Sequence, residues 1–170
     1  MHRMIIIAML ALPIAACSRG NEVAVATLQP KSGAQVTGTV TFTQKGDRVE
    51  VVANVKNLTP GKHGIHVHEK GDCSASDASS AGGHFAPGGG QHAGPTDPKR
   101  HAGDLGNLEA GADGSATLTT TTDMLHVGSG DHDVIGRAII IHGDPDDLAT
   151  QPSGNSGGRI ACGVIEKKVD

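Results

Sequence analysis

The sequence predicts an all-β domain, a Greek-key β-sandwich or barrel of about eight antiparallel strands with two long functional loops. Three observations lead there. Apolar and polar residues alternate with period two over much of the chain beyond residue 22, as half-buried strands require. No stretch repeats with the 3.6-residue period of an amphipathic helix. The 25 glycines fall largely between the alternating segments, where tight turns are needed. A length of 170 residues suits a single domain, and 36% apolar against 19% charged residues is a globular composition. There is no Trp or Tyr, and the only aromatic rings besides histidine are Phe42 and Phe85. The core must therefore come from Val, Ile, Leu and Ala, which pack well between pleated surfaces.

Taken in order, the chain opens on a targeting pattern. Arg3 is followed by an apolar run from Met4 to Ala16, broken only by Pro13 and too short to span a bilayer as a helix. The run ends Ile14-Ala15-Ala16-Cys17-Ser18, which resembles a bacterial lipobox. Residues 1–16 then form a signal peptide cleaved before a lipidated Cys17, and residues 17–24 form a tether to a domain of residues 25–170. An ordinary secretory signal with a cysteine at its edge is the alternative. The three cysteines fit lipidation, because setting Cys17 aside leaves an even pair, Cys73 and Cys162. An exported compartment permits them to form a disulfide, the alternative being two buried free thiols.

The first strand is expected at 23–28. In 36–43, Val36, Val40 and Phe42 alternate with threonines, and after a Lys45-Gly46-Asp47 turn Val49, Val51, Ala53 and Val55 alternate in turn. That pair reads as a hairpin. A turn over 57–61 leads into the strand carrying His66 and His68. Alternate strand residues share a face roughly 6.5–7 Å apart, so both imidazoles stand on one side with Val67 turned into the core. Further strands are expected at 105–110, 115–122, 125–127, 133–142 and 159–165. Two tracts have no period: the Gly-, Pro- and Asp-rich segment closing at Asp104, and residues 143–158. A loop as long as the first is improbable in a compact domain unless something orders it. It carries His84, His92, His101 and Asp104, and three imidazoles with a carboxylate make a tetrahedral zinc set. The formal charge of −4 argues against a nucleic-acid partner.

The motifs Gly64-Ile65-His66-Val67-His68-Glu69, Gly83-His84-Phe85-Ala86-Pro87, His101-Ala102-Gly103-Asp104-Leu105-Gly106-Asn107 and Gly158-Arg159-Ile160-Ala161-Cys162-Gly163-Val164-Ile165 resemble those of the copper/zinc superoxide dismutases. The likeness runs from about residue 25 to 165 and is closest to the bacterial envelope type. It implies copper on His66, His68, His84 and His142, and zinc on His84, His92, His101 and Asp104, with His84 shared. It further implies that Asp146 accepts hydrogen bonds from His66 and His92, that His63 braces backbone, and that Arg159 beside the copper draws in the anion. Arg159 and His84 are the expected catalytic groups. His126 and His132 fall outside the ligand set and are expected on exposed loops or strand ends.

The implied activity is disproportionation of superoxide to O2 and H2O2, protecting the cell envelope from a periplasmic, lipid-anchored position. Superoxide is the expected partner, and the resemblance leaves monomer and homodimer both open. The family's loop before Arg159 is often longer and more charged. Here it holds Asp144, Asp146 and Asp147 with no Lys or Arg, which weakens the case for long-range steering. The competing reading is a dismutase-like lipoprotein that binds and delivers copper. Such relatives typically lack a copper ligand or the arginine, and this sequence keeps all of them.

Overall fold

The computed structural model describes residues 22–169; the expected leader and Cys17 lie outside the described residues. Eight antiparallel strands form a nearly closed barrel: β1 (Val23–Pro30), β2 (Thr37–Lys45), β3 (Arg48–Lys56), β4 (Gly61–His68), β5 (Asp104–Ala110), β6 (Ala116–Thr122), β7 (Ala138–His142) and β8 (Arg159–Lys167). Their order around the wall is β5-β4-β7-β8-β1-β2-β3-β6. The β4–β7 and β8–β1 neighbours are distant in sequence, which is the Greek-key pattern. The seam lies between β5 and β6, which a tight turn joins through the Gly111 N–H to the Ser115 carbonyl, 3.0 Å.

The alternation read from the sequence becomes burial. On β3 the odd residues Val49, Val51, Ala53 and Val55 are sealed inside while their neighbours face outward. Phe42, Ile65, Leu108, Ile139, Ile141 and Ile165 join them in one core. Each such side chain contributes on the order of 2 kcal/mol by leaving water.

Two expected strands are corrected. Residues 125–127 and 133–137 lie outside any named strand, joined only by an isolated bridge between His126 and Asp133. Leu125, Val127 and Val134 are nonetheless buried, because this β6–β7 connection packs into the core. Their alternation records burial without a strand ladder to either side. His126 and His132 are also half-buried, not exposed, and His132 Nδ1 lies 2.7 Å from the Met124 carbonyl.

β4 and β7 are buried on both faces along the stretches that matter. Ile65, Val67, Ile139 and Ile141 point inward. The opposite face of the wall carries His66 and His68, which pair in register with Ile140 and Ala138. Over it lie residues 69–103 and 143–158. A second small cluster sits there: Ala78 and Ala81 of the first loop against Ala138, Ile140 and Cys162 of the wall. The Cys73–Cys162 disulfide, Cα–Cα 5.8 Å, fastens that loop to β8. The long tract is thus ordered by a covalent tie, a satellite core and one short 3-10 turn (Ser79–Ala81).

Candidate metal centre

Irregularities in the strands aim the ring-bearing residues. The β4–β5 register shifts between Gly64 and His66, and the β7–β8 register shifts between Ile141 and His142. Such bulges re-aim side chains where a ladder meets a site. His66 then stands opposite Asp104, and His142 opposite Arg159. The loop returns His84 to the same place through a bridge to His68, with the Phe85 N–H donating to the Val67 carbonyl at 2.8 Å.

Two groups result. Ligand atoms of His66, His68, His84 and His142 lie within 4.8 Å of one another, as do those of His66, His84, His92 and Asp104. His101, expected in the second set, stands at its rim with Nδ1 3.5 Å from Asp104 Oδ2. His66 enters that second group because its ring lies only 4.0 Å, centroid to centroid, from the His84 ring between the groups.

Five of these rings have a defined partner for one nitrogen. His66 Nε2 and His92 Nε2 each lie 2.8 Å from one oxygen of Asp146. His68 Nδ1 donates to the Gly82 carbonyl at 3.0 Å, and His142 Nδ1 faces the Gly157 carbonyl at 3.3 Å. His84 Nδ1 lies 2.8 Å from Asp104 Oδ1. The remaining nitrogens, His66 Nδ1, His68 Nε2, His84 Nε2, His92 Nδ1, His101 Nδ1 and His142 Nε2, are buried without a hydrogen-bond partner. Six orphaned imidazole nitrogens converging on two points would be costly in an apolar pocket. They fit two metal ions, with the outer nitrogens fixing the tautomers.

The electrostatics agree. Burial first, then the neighbouring His84, holds His66 and His68 well below the usual histidine range. Burial lowers His142 to about 4 and draws His101 down as well. These rings are neutral near pH 7, the state in which imidazole binds a metal. Burial alone would raise Asp104, but the hydrogen bond and charge of His84, with His92 and the Ala93 N–H, hold it below the ordinary carboxylate value.

Arg159 donates from Nη1 to the Ala78 carbonyl and from Nη2 to the Gly82 carbonyl, both at 2.7 Å. A cleft of about 230 Å³ is lined by His68, His84, His142, Arg159, Pro152 and Gly157. His63 lies outside both groups, bracing backbone from Nδ1 to His142 O at 2.9 Å and from Nε2 to Thr59 O at 2.8 Å.

A family model described as copper/zinc superoxide dismutase matches residues 36–165, most of the chain. The chain belongs to this family. A solved structure of "the clock protein EA4" is 38% identical with a TM-score of 0.79, covering 86% of this chain and 94% of that one. As a copper/zinc dismutase family member, the protein carries both a copper-like and a zinc-like histidine site.

Two supporting residues have roles that the sequence does not show. Asn107 clamps the Asp146 backbone, donating from Nδ2 to its carbonyl at 2.9 Å and accepting its N–H at 2.7 Å. It closes the motif begun at His101, so its position was visible and its role was not. Gln151 does the same for His92, accepting its N–H at 2.9 Å and donating to its carbonyl at 2.7 Å. Nothing in the sequence around Gln151 points to that.

Proposed function

We propose that this chain disproportionates superoxide, converting two superoxide anions and two protons into O2 and H2O2. One observation carries the reading: four unpartnered ring nitrogens, from His66, His68, His84 and His142, converge where three of those residues line a cleft with Arg159. A copper ion on those four rings would supply a one-electron couple, and a zinc ion on His84, His92, His101 and Asp104 a fixed charge without redox change.

The protein's own groups then have distinct tasks. Arg159 is permanently charged, and its planar fork binds and orients the anion in the cleft. Only two of its five N–H donors are committed to Ala78 and Gly82. His84 Nδ1 faces Asp104 on the side where a zinc ion would take it, and Nε2 is unpartnered on the copper side, so Nε2 is the atom that can take up a proton and return it to the reduced substrate. His66 and His68 stay anchored through Asp146 and Gly82, which keeps their rings from turning as charge changes nearby. The cleft of about 230 Å³ between the two loops has room for a diatomic anion beside Arg159. Residues 143–158 contain no Lys or Arg and so add nothing to the positive potential that Arg159 gives the cleft.

Protein loaded with copper and zinc, its occupancy verified, should consume superoxide in a pulse-radiolysis assay. Zinc alone in copper-replete material, with no superoxide consumption, would refute the reading. We further place the protein in a bacterial cell envelope, on the periplasmic side and held by lipid on Cys17. The leader pattern and the disulfide support this. Cys17→Ser should free the protein from membranes with metal binding intact. A wild-type protein that is wholly soluble and begins at another residue would overturn the anchor.

A further inference from the structure

We propose that the turn between β1 and β2 positions the Arg159 guanidinium, with Ser32 as the positioning residue; this rests on Arg159 being the anion-binding group. Four hydrogen bonds leave two adjacent residues of that turn. Ser32 Oγ donates to the Arg159 carbonyl at 2.8 Å, and the Lys31 N–H donates to the Ile160 carbonyl at 2.9 Å. These two hold the main chain from which the guanidinium extends. The Ser32 N–H donates to the Ser76 carbonyl at 2.8 Å, and Lys31 Nζ donates to the Cys73 carbonyl. These two hold the segment just before Ala78, whose carbonyl receives Arg159 Nη1. The turn therefore grips both the root of the side chain and the cradle in which its head rests.

The disulfide does not make this redundant. It ties the loop at Cys73, while the guanidinium is received at Ala78 and Gly82. The Ser32–Ser76 bond falls between those points and fixes the span the disulfide leaves free. The backbone of Ser32 is itself informative. It sits at φ +53°, in the left-handed region that disfavours an L side chain, and Gly33 follows at φ +76°. Glycine would be the unstrained choice at residue 32. A serine there keeps a hydroxyl on the Arg159 carbonyl at the cost of local strain, an outlier of the kind that marks functional positions.

A crossed pair of variants separates positioning from stability. Ser32→Gly removes the hydroxyl and relieves the strained φ, so its melting temperature should hold or rise. Gly33→Ala keeps the hydroxyl and adds a Cβ in open space on a positive-φ backbone, so it should melt about 2–5 °C lower. Two readouts follow: the Arg159 guanidinium 1H–15N NMR signals in metal-free protein, and azide affinity of copper- and zinc-loaded protein. In Ser32→Gly the guanidinium signals should move toward those of free arginine, and the azide Kd should rise about three- to tenfold. Gly33→Ala should leave both as in the wild type. Wild-type signals and azide affinity in Ser32→Gly would overturn the proposal, as would both variants shifting these readouts in step with their melting temperatures. A wild-type protein that fails to bind azide would refute Arg159 as the anion-binding group, and the guanidinium signals would still decide the role of Ser32.

Discussion

Replacing Gly154 with Ala should detach Asp146 from both histidine groups at once. A Cβ at residue 154 would overlap Asp146 Oδ1 and lie 2.5 Å from His92 Nε2. Asn107 holds the Asp146 backbone in place, so the side chain must swing away and give up its 2.8 Å bonds to His66 and His92. Two costs separate cleanly. The φ of +67° at Gly154 charges any L side chain about 1–2 kcal/mol. Gly130, at φ +78° with nothing within 4 Å of a built Cβ, carries that backbone cost alone. Losing the carboxylate that orients metal-binding imidazoles lowers metal affinity by about 10- to 100-fold. Chelator competition for zinc and copper, with thermal melts of the metal-free proteins, measures both terms. Gly130→Ala should melt lower and keep wild-type affinities, whereas Gly154→Ala should melt lower and lose affinity at both sites. Wild-type affinities in Gly154→Ala would show that Asp146 does not orient these rings.

Arg159→Ile, compared at verified full occupancy, should lower kcat/KM about 10- to 100-fold through loss of charge-assisted hydrogen bonds; an unchanged rate would make Arg159 a structural cation. Arg159→Lys should lose less, because the charge remains. Reducing Cys73–Cys162, which closes a sequence separation of 89, should cost about 4–5 kcal/mol of stability and lower activity by freeing the Arg159 cradle. Thiol titration of native protein that finds two reactive cysteines would contradict this. Metal-free protein should lose stability as pH falls from about 6.5 toward about 4. Over that window the unfolded chain takes up a proton at His142 that the folded state refuses, so this contribution is intact above the window and lost within it. His142 alone accounts for about 3 kcal/mol, and a flat urea midpoint across the window would refute it.

The fold was largely legible because a barrel wall has one dry face, and a dry face imprints period two on Val49 through Val55 as on Phe42 and its neighbours. The same logic misled at 125–127, where Leu125 and Val127 are buried as a loop packs down without strand partners. Burial leaves a mark in sequence, while pairing does not. The histidines and Asp104 were recognisable by type and order along a ladder and two loops. The groups that aim them were not. Gly82, Ala78 and Ser76 act through their carbonyls, which every residue has, and Ser32, Asn107 and Gln151 act on the backbones of residues distant in sequence. A sequence shows which side chains are available; it is silent on which backbone atom each will meet.

The Gly82 carbonyl accepts both His68 Nδ1 at 3.0 Å and Arg159 Nη2 at 2.7 Å. Anyone redesigning this surface inherits that shared acceptor. Grafting a different first loop to widen the opening for a larger anion would move the guanidinium and turn a ring of the copper-like site in the same stroke. Anion access and the geometry of the copper-like site are therefore not separate dials here, and a library that varies residues 78–83 will sample them only in combination. Independent adjustment requires giving His68 a new acceptor first.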